Sequence, residues 1–192
     1  MSKKSNLILF LVIVLATFSR LFITIPNFSA IGSLALICGS IAGRHKFSVL
    51  IPFAALVVGD LMMAGTGKLY SDYFFDGYFL YVYFAFFITW LIGKYLKDKL
   101  NFKNLVAASL ISSISFFIIT NFGSWMQLGF YPKNIAGLIQ AYIAGLSFYK
   151  NDIFTNFFLN QIVGDLFFVI VFYFSFIAIT NKYKAKIKHQ NA

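Results

Sequence analysis

Six apolar stretches, each close to the length of a membrane-spanning helix, constrain this chain more than any other feature of its sequence. A helix needs about 20 apolar residues to cross the hydrocarbon core of a bilayer. The stretches cover residues 7–25, 29–43, 47–65, 78–96, 104–125 and 153–180. Hydrophobic residues make up 60% of the chain and charged residues only 11%. Soluble domains have fewer hydrophobic and more charged residues. The sequence therefore predicts an all-α integral membrane protein: a single transmembrane domain of about six helices over residues 1–192.

Two segments need separate interpretation. Residues 134–148 are too short to span comfortably and include Gln140 and Tyr142, which predicts an interfacial or re-entrant helix. The first stretch follows Lys3 and Lys4, as in a signal peptide, but the sequence Thr17-Phe18-Ser19-Arg20 after it lacks a small-residue cleavage pattern. We therefore expect a retained first helix.

The basic residues of the loops predict the orientation, because cytoplasmic loops collect Lys and Arg. With six spans and an inner N-terminus, twelve of the sixteen basic residues lie inside, Arg20 lies within a span, and only Lys68, Lys133 and Lys150 lie outside. Seven spans would place the four C-terminal lysines outside. We predict a multi-pass protein of the cytoplasmic (inner) membrane with both termini cytoplasmic.

Composition and motifs argue against several other classes of protein. The formal charge of +10 comes from residues scattered between apolar runs, which is unlike a nucleic-acid interface. Cys38 is the sole cysteine, so a disulfide framework or cysteine metal cluster is excluded. Gly65-Thr66-Gly67-Lys68 lacks the earlier glycine and the following Ser or Thr of a phosphate loop. We expect no enzyme activity, no metal and no cofactor.

Three ionisable residues, Arg20, Asp60 and Asp165, lie within predicted spans, and both aspartates occur in the sequence Val-Gly-Asp-Leu. A charge at a helix centre costs about 2.5–3.5 kcal/mol on insertion scales, so each needs a partner or water. Arg20 and Asp60 fall at matching depth, about 8 Å below the outer ends of their helices. A salt bridge between them is the simplest hypothesis. It leaves two roles open, helix packing alone or packing beside a ligand cavity.

Polar residues also collect in the outer halves of the last two predicted spans. Asn156 and Asn160 share one face of a helix, and Gln161 and Asp165 share another. On the preceding helix, Asn121 and Trp125 follow serines that we interpret as bonding to their own backbone or to a neighbouring helix. The aromatic side chains Trp125, Tyr131 and Tyr142 gather near the outer surface, as an interfacial belt or as a ligand lid.

Small residues at fourfold spacing predict close helix packing in two segments. One set is Ala35, Gly39 and Gly43, and the other is Gly137, Ala141 and Gly145. Small side chains let helix backbones approach closely in a membrane, within one protein or against a partner.

Several of these residues together carry a resemblance to a known family. They are Arg20, Pro26-Asn27-Phe28-Ser29, Val58-Gly59-Asp60, the segment 116–123 with Trp125, Tyr131-Pro132, Gly137-Leu138, Tyr142, Asn160 and Gly164-Asp165. The chain resembles an uncharacterised family of small bacterial membrane proteins, itself similar to the substrate-binding S components of energy-coupling-factor transporters. This resemblance implies a six-helix bundle that captures a vitamin-like micronutrient from outside and docks on an energising membrane module with ATPases. Ala16 is followed by Arg20 rather than by the second alanine of the Ala-x-x-x-Ala docking face that S components carry.

The leading hypothesis is therefore a membrane transport component that binds a small-molecule substrate. The predicted ligand-binding residues are Arg20, Asn27, Asp60, Asn121, Trp125, Tyr131, Tyr142, Asn156, Asn160 and Asp165. Two alternatives stay open: a stand-alone carrier coupled to protons through Asp60 or Asp165, and a non-transporting scaffold whose buried polar residues only pack helices.

Overall fold

The computed structural model describes residues 14–20, 25, 27–42, 46–67, 72–96, 99–146 and 156–190. For residues 41–47 and 176–190 it describes at most the backbone. Within these ranges every regular element is helical. Residues 14–20 form the described part of α1. It is followed by α2 (Ile31–Ala42), a 3-10 turn (Lys46–Val49), α3 (Leu50–Gly65), α4 (Tyr78–Tyr95), α5 (Phe102–Gln127), α6 (Ile135–Leu146) and α7 (Phe157–Gln190). The prediction of an all-α chain is confirmed for this part of the molecule.

Among the described residues, three helices are long and apolar enough to cross a membrane: α4, α5 and the segment Phe157–Ser175 of α7. They correspond to the predicted fourth, fifth and sixth spans. The second and third predicted spans contain apolar helices of 12 and 16 residues, which are shorter than a typical span. Of the first predicted span, 7–13 and 21–24 lie outside the described residues. The short helix predicted at 134–148 is present as α6, with 147–148 likewise outside the described part.

The outward faces of the long helices are apolar. Exposed side chains recur every three or four residues, as in Leu80 and Phe84 of α4 or Ile111, Ile114 and Ile118 of α5. A spacing of three or four residues places such side chains in one stripe along a helix. Soluble monomers rarely expose continuous apolar areas of this extent, so these surfaces suit contact with lipid.

The short helix α2 occupies the centre of the bundle. It packs against α3, α4, α5 and α7, while α4 packs on α5 and α5 packs on α7. Its residues Ile31, Leu34 and Leu36 are almost fully buried, together with Ala35. A helix that is apolar on all sides is expected to lie in a core, and α2 does so here.

Glycines permit the close contact between α2 and α4. A Cβ added at Gly39 would overlap the carbonyl oxygen of Trp90, and one added at Gly93 would overlap the carbonyl oxygen of Leu36. Ala35 and Gly39 of the predicted small-residue face therefore pack inside the bundle. Gly43 lies outside the described residues.

Asparagines cap three of the helices at their N-terminal ends. The side-chain oxygen of Asn101 accepts from the backbone N–H of Asn104 (2.9 Å), that of Asn134 from Gly137 (2.9 Å), and that of Asn156 from Leu159 (2.8 Å). Each bond satisfies one of the backbone donors that a helix leaves unpaired at its start. The start of α7 is thus fixed next to α6, because Asn156 Nδ2 also donates to the carbonyl of Leu146 (3.1 Å).

Candidate functional site

A cavity of about 270 Å³ lies at the end of the bundle where α4 and α7 begin and α5 ends. Its walls come from the turn before α2, the start of α4, the second half of α5, the end of α6 and the start of α7. The described residues that line it are Asn27, Tyr78, Phe116, Phe117, Thr120, Asn121, Ser124, Tyr131, Ala144, Gly145, Phe157, Phe158 and Gln161. Amide and hydroxyl groups thus face aromatic rings across a small space.

Helix α5 supplies the polar wall of the cavity. Phe117, Asn121 and Ser124 are spaced by four and three residues, which places them on one helix face. Asn121 Nδ2 donates to the carbonyl of Phe117 (2.8 Å). The side-chain oxygen of Asn121 lies beside Gly145 of α6, where an added Cβ would overlap it. The glycine therefore lets the Asn121 amide lie flat between the two helices at the cavity wall.

Aromatic packing holds the Phe117 ring of this wall in place. The rings of Phe117 and Phe158 are 4.6 Å apart between centroids, and those of Phe117 and Tyr142 are 5.8 Å apart. The Tyr142 hydroxyl donates to the carbonyl of Ile118 (3.0 Å). Tyr142 is not among the described lining residues, but it packs on Phe117, which is one of them. Its role in the structure is to position an aromatic wall.

Two residues of the predicted site, Asn27 and Tyr131, lie at the edge of the cavity. Asn27 has a left-handed backbone conformation (φ 60°), which asparagine tolerates better than most residues. Its Nδ2 donates to the carbonyl of Phe157 at 3.4 Å. This weak bond connects the turn before α2 to the first residue of α7.

The segment that carries Tyr131 is attached to the end of α5 by its neighbours. Trp125 Nε1 donates to the carbonyl of Pro132 (2.9 Å), and Lys133 Nζ donates to the carbonyls of Trp125 and Met126. A lysine that bonds the last carbonyls of a helix also interacts favourably with the helix dipole. Trp125 therefore anchors this segment and is not among the described lining residues.

The predicted salt bridge between Arg20 and Asp60 is present, and it lies away from the described cavity lining. The Asp60 side chain is 0% exposed and that of Arg20 13%. Tyr73 donates to the second carboxylate oxygen at 3.3 Å, and Tyr83 also hydrogen-bonds to Asp60. Burial raises the pKa of the Tyr73 hydroxyl well above its usual value, so the hydroxyl stays protonated and available as a donor.

The glycine before Asp60 makes room for its partner. A Cβ at Gly59 would lie 3.0 Å from Cδ of Arg20, a distance that real side chains seldom show. The Gly-Asp step thus supplies both the carboxylate and the space that the arginine side chain needs. Arg20, Asp60 and the two tyrosines connect α1, α3, the segment before α4, and α4 itself.

Asp165, in the second copy of the motif, is bonded to hydroxyl and amide groups. Its side chain is buried between α2, α5 and α7, with the residue 3% exposed. Ser113 Oγ lies 2.7 Å from Asp165 Oδ2, and Gln161 Nε2 donates to the same oxygen at 2.6 Å. Gln161 also lines the cavity. It therefore connects the cavity directly to a buried carboxyl group.

The two remaining predicted residues have structural positions outside the lining. Asn156 caps α7 and bonds α6, as described above. Asn160 is buried next in the same helix, 5% exposed, and makes further contacts inside the bundle. Of the ten predicted site residues, Asn27, Asn121 and Tyr131 line the cavity, whereas Arg20, Asp60, Trp125, Tyr142, Asn156, Asn160 and Asp165 do not.

Sequence reasoning left most of the apolar lining out of the predicted site. Phe116, Phe117, Phe157 and Phe158 look like ordinary lipid-facing or core residues in a chain with 26 phenylalanines. A usable signal existed for the polar wall, since Phe117, Asn121 and Ser124 share a helix face. Gln161 also stood out as a polar residue within an apolar span.

The chemistry of the lining suits non-covalent binding. Among the described residues, no three His, Cys, Asp or Glu side chains come close enough together to hold a metal ion. Aromatic rings offer stacking faces, and the Asn27, Asn121 and Gln161 amides offer both donors and acceptors. Such a mixture of apolar surface with a few polar groups is typical of small-molecule sites.

These features define the class of the protein: over the residues that the structure describes, it is an all-helical bundle with three apolar helices of membrane-spanning length and an aromatic and amide-lined cavity at one end. Residues 1–187 match the model of a family of unknown function, DUF6580, and the chain belongs to that family. No curated protein and no solved structure matches the chain.

Proposed function

We propose that this protein is a multi-pass component of the cytoplasmic membrane that binds a small micronutrient-like molecule from the outer side for transport. The observation that carries the proposal is the cavity of about 270 Å³ enclosed by α4, α5, α6 and α7. This volume is close to the lower end of common ligand pockets, about 300–1,000 Å³. It suits a compact metabolite rather than a peptide or lipid.

The position of the cavity supports binding from outside. It lies where α5 ends and α4 and α7 begin, next to Lys133. The opposite end of α4 and the start of α5 carry Lys94, Lys99 and Lys103, and the chain continues to the lysines of the C-terminal tail. The lysine-rich end is the cytoplasmic one by the positive-inside rule, so the cavity end faces out.

The lining favours a planar or partly apolar molecule with hydrogen-bonding groups. The thirteen described lining residues are all uncharged, and Arg20 is occupied by Asp60 elsewhere in the bundle. A carboxylate on the ligand would therefore find amides and hydroxyls in this part of the chain, rather than the guanidinium that the sequence suggested.

The transport partner follows from the resemblance to S components, which implies an energising module with ATPases. The small-residue face of α2 does not supply the docking surface, because Ala35 is fully buried and Gly39 packs on α4. A stand-alone carrier coupled to protons is the second candidate function. The observation that favours it is Asp165, a buried carboxyl group bonded to a residue of the cavity wall.

A matched pair of substitutions on α6 tests the proposal. Ala144 lines the cavity, whereas Ala136 is exposed near the start of the same helix. Ala144→Phe fills the cavity, and Ala136→Phe adds the same side chain at the surface. Each variant is purified in mild detergent beside the wild type, and small molecules that co-purify are identified by mass spectrometry.

We expect a defined metabolite with the wild type and with Ala136→Phe, reduced at least tenfold with Ala144→Phe at equal thermal stability. The same metabolite in equal amount with all three proteins would place its binding elsewhere. A protein without a co-purified metabolite, after growth in rich medium, would contradict the proposal in favour of a packing-only scaffold.

A further inference from the structure

Asp165 is buried without a positively charged partner in the described part of the chain. Its side chain lies against Gly32 of α2, where an added Cβ would overlap Oδ1. Oδ1 has no hydrogen-bonding partner among the described residues, and the nearby Ser109 and Ser112 hydroxyls have none either. An ionised carboxylate in such a place is costly, since burial of an uncompensated charge far outweighs the gain from two hydrogen bonds.

A count of hydrogens around Ser113 indicates which form of Asp165 fits. The Ser113 hydroxyl has one hydrogen, yet it lies within bonding distance of two acceptors: the Ser109 carbonyl at 3.1 Å and Asp165 Oδ2 at 2.7 Å. If Asp165 is ionised, Ser113 serves only one of them. If Asp165 carries a proton on Oδ2, it donates to Ser113 Oγ, and Ser113 donates to Ser109. Both bonds are then made.

The remaining contacts agree with a neutral acid. Gln161 Nε2 donates to a lone pair of Oδ2 in either state, and Oδ1 becomes a carbonyl oxygen, for which a missing partner costs less than for an anion. Ser33 Oγ donates to the backbone carbonyl of Asp165 at 2.8 Å and so does not compensate the side chain.

We infer that Asp165 is a proton-binding site inside the membrane bundle, and that Gln161 links its protonation to the ligand cavity. The inference about the link depends on the proposed function, whereas the proton site itself does not. On ionisation the proton passes to water, and the Ser113 hydrogen turns from Ser109 to Oδ2. The Gln161 amide is then held more firmly by a carboxylate and is less available to a ligand.

Other titratable groups lie at a distance from this site. On α2, Cys38 is six residues from Gly32, or about 9 Å along the helix. On α5, Lys103 is ten residues from Ser113, or about 15 Å. On α7, Tyr173 is eight residues from Asp165, or about 12 Å, and Arg20 of α1 is paired with Asp60. Asp165 is therefore expected to titrate as a single group.

The first experiment is infrared spectroscopy of the full chain in lipid nanodiscs, with the aspartate carboxyl carbons labelled with carbon-13. At neutral pH we expect an isotope-shifted band of a neutral carboxylic acid in the wild type and in the double variant Arg20→Met, Asp60→Asn, which removes the other buried aspartate without leaving Arg20 unpaired. This band is lost in Asp165→Asn, which should fold normally because an amide can replace a neutral acid. If no neutral-acid band occurs at neutral pH, or if it persists in Asp165→Asn, the inference is wrong. Should Asp165→Asn not fold, survival of the band in Arg20→Met, Asp60→Asn decides, since solvated aspartates are ionised at neutral pH.

A second measurement tests the link without a ligand. Glutamine side chains are labelled with nitrogen-15 and observed by NMR. The chain has three other glutamines, Gln127, Gln140 and Gln190. The signal of Gln161 is assigned as the one that is lost in Gln161→Leu. We expect the Gln161 signal to shift with the same pH midpoint as the Asp165 band, while the Gln140 signal of the exposed face of α6 does not. If the Gln161 signal does not shift when Asp165 ionises, the inferred link between Gln161 and Asp165 is wrong. Neither readout needs a bound metabolite, so loss of the proposed function leaves the proton site testable.

Discussion

At the scale of single residues, one short motif serves two different purposes. In both copies of Val-Gly-Asp-Leu the glycine admits a neighbour, Arg20 at Gly59 and the backbone of Phe28 at Gly164. The carboxyl groups then differ in their partners. Asp60 neutralises an arginine, whereas Asp165 bonds a hydroxyl and an amide. A glycine-aspartate step is thus a compact way to bury a carboxyl group beside a closely packed element.

We expect Asp60→Asn to lower the free energy of unfolding by about 3–5 kcal/mol, because it leaves the Arg20 charge buried without a counter-charge. The double variant Arg20→Met, Asp60→Asn should recover much of this loss. The measurement is thermal unfolding of the purified protein in detergent, with the two single variants and the double variant completing a mutant cycle. Equal stability of Asp60→Asn and the wild type would show that the pair contributes nothing.

The sequence predicted the Arg20–Asp60 pair because the two residues fall at similar depth within predicted spans. An unpaired charge is costly in the hydrocarbon core, so each residue needs a partner. The sequence did not predict the partner of Asp165 on α5. Ser113 was interpreted as bonding its own backbone or a neighbouring helix, and it approaches both the Ser109 carbonyl at 3.1 Å and Asp165 at 2.7 Å. Only the packing of α5 against α7 brings it within reach of Asp165, and single-sequence patterns carry no information on that distance.

At the scale of helices, α2 and α4 of the described part of the chain pack with their backbones in close contact. Trp90, Gly93, Leu36 and Gly39 bring backbone against backbone, with no side chain between them. In lipid, such contacts gain van der Waals energy that the hydrophobic effect cannot supply between helices. This explains how a helix of 12 residues is held at the centre.

We expect Gly93→Ala to cost about 1–3 kcal/mol of stability, the usual range for overpacking, because its methyl group meets a carbonyl oxygen that cannot move aside. Gly65→Ala is the matched control. It lies at the end of α3 with open space around it, and its effect should stay within about 0.5 kcal/mol. Thermal unfolding in detergent compares the two, and equal midpoints for both variants would contradict the proposed role of Gly93.

Helix positions were predictable to different degrees. The apolar length of α4, α5 and α7 was clear from the sequence, and so was the short helix α6. The central place of α2 was not, since apolar residues all round a short helix indicate burial but not which neighbours cover it. The capping role of Asn156 was also missed, because its polar side chain within an apolar region resembled a ligand-binding residue.

At the scale of the whole molecule, the proposed orientation rests on the distribution of lysines. The cavity lies at the end of the bundle opposite Lys94, Lys99 and Lys103, which the charge pattern predicts to be the outer end. Its polar lining was partly foreseen through Asn27, Asn121 and Tyr131. Its aromatic wall was not, because lipid-facing, core and cavity phenylalanines have the same composition and period in a membrane helix.

Cysteine labelling tests this orientation in a Cys38→Ser background. Gly129→Cys lies in the exposed turn after α5, with nothing within contact distance, and Lys99→Cys lies in the exposed segment before α5. With a membrane-impermeant maleimide, we expect intact cells to label position 129 at once and position 99 only after permeabilisation. The reverse labelling pattern would indicate the opposite orientation, with the cavity on the cytoplasmic side.

The length of α7 has a mechanical consequence. Its 34 residues extend about 51 Å, whereas the hydrocarbon core is about 30 Å thick. If its first turn lies at the outer surface, as proposed, about 20 Å of continuous helix would extend beyond the hydrocarbon core on the cytoplasmic side. The sequence of that part, Lys182 to Lys188, has a lysine at every second position. Four lysines within seven residues make this end of the helix strongly basic, so a negatively charged partner would meet a concentrated positive charge beyond the membrane surface.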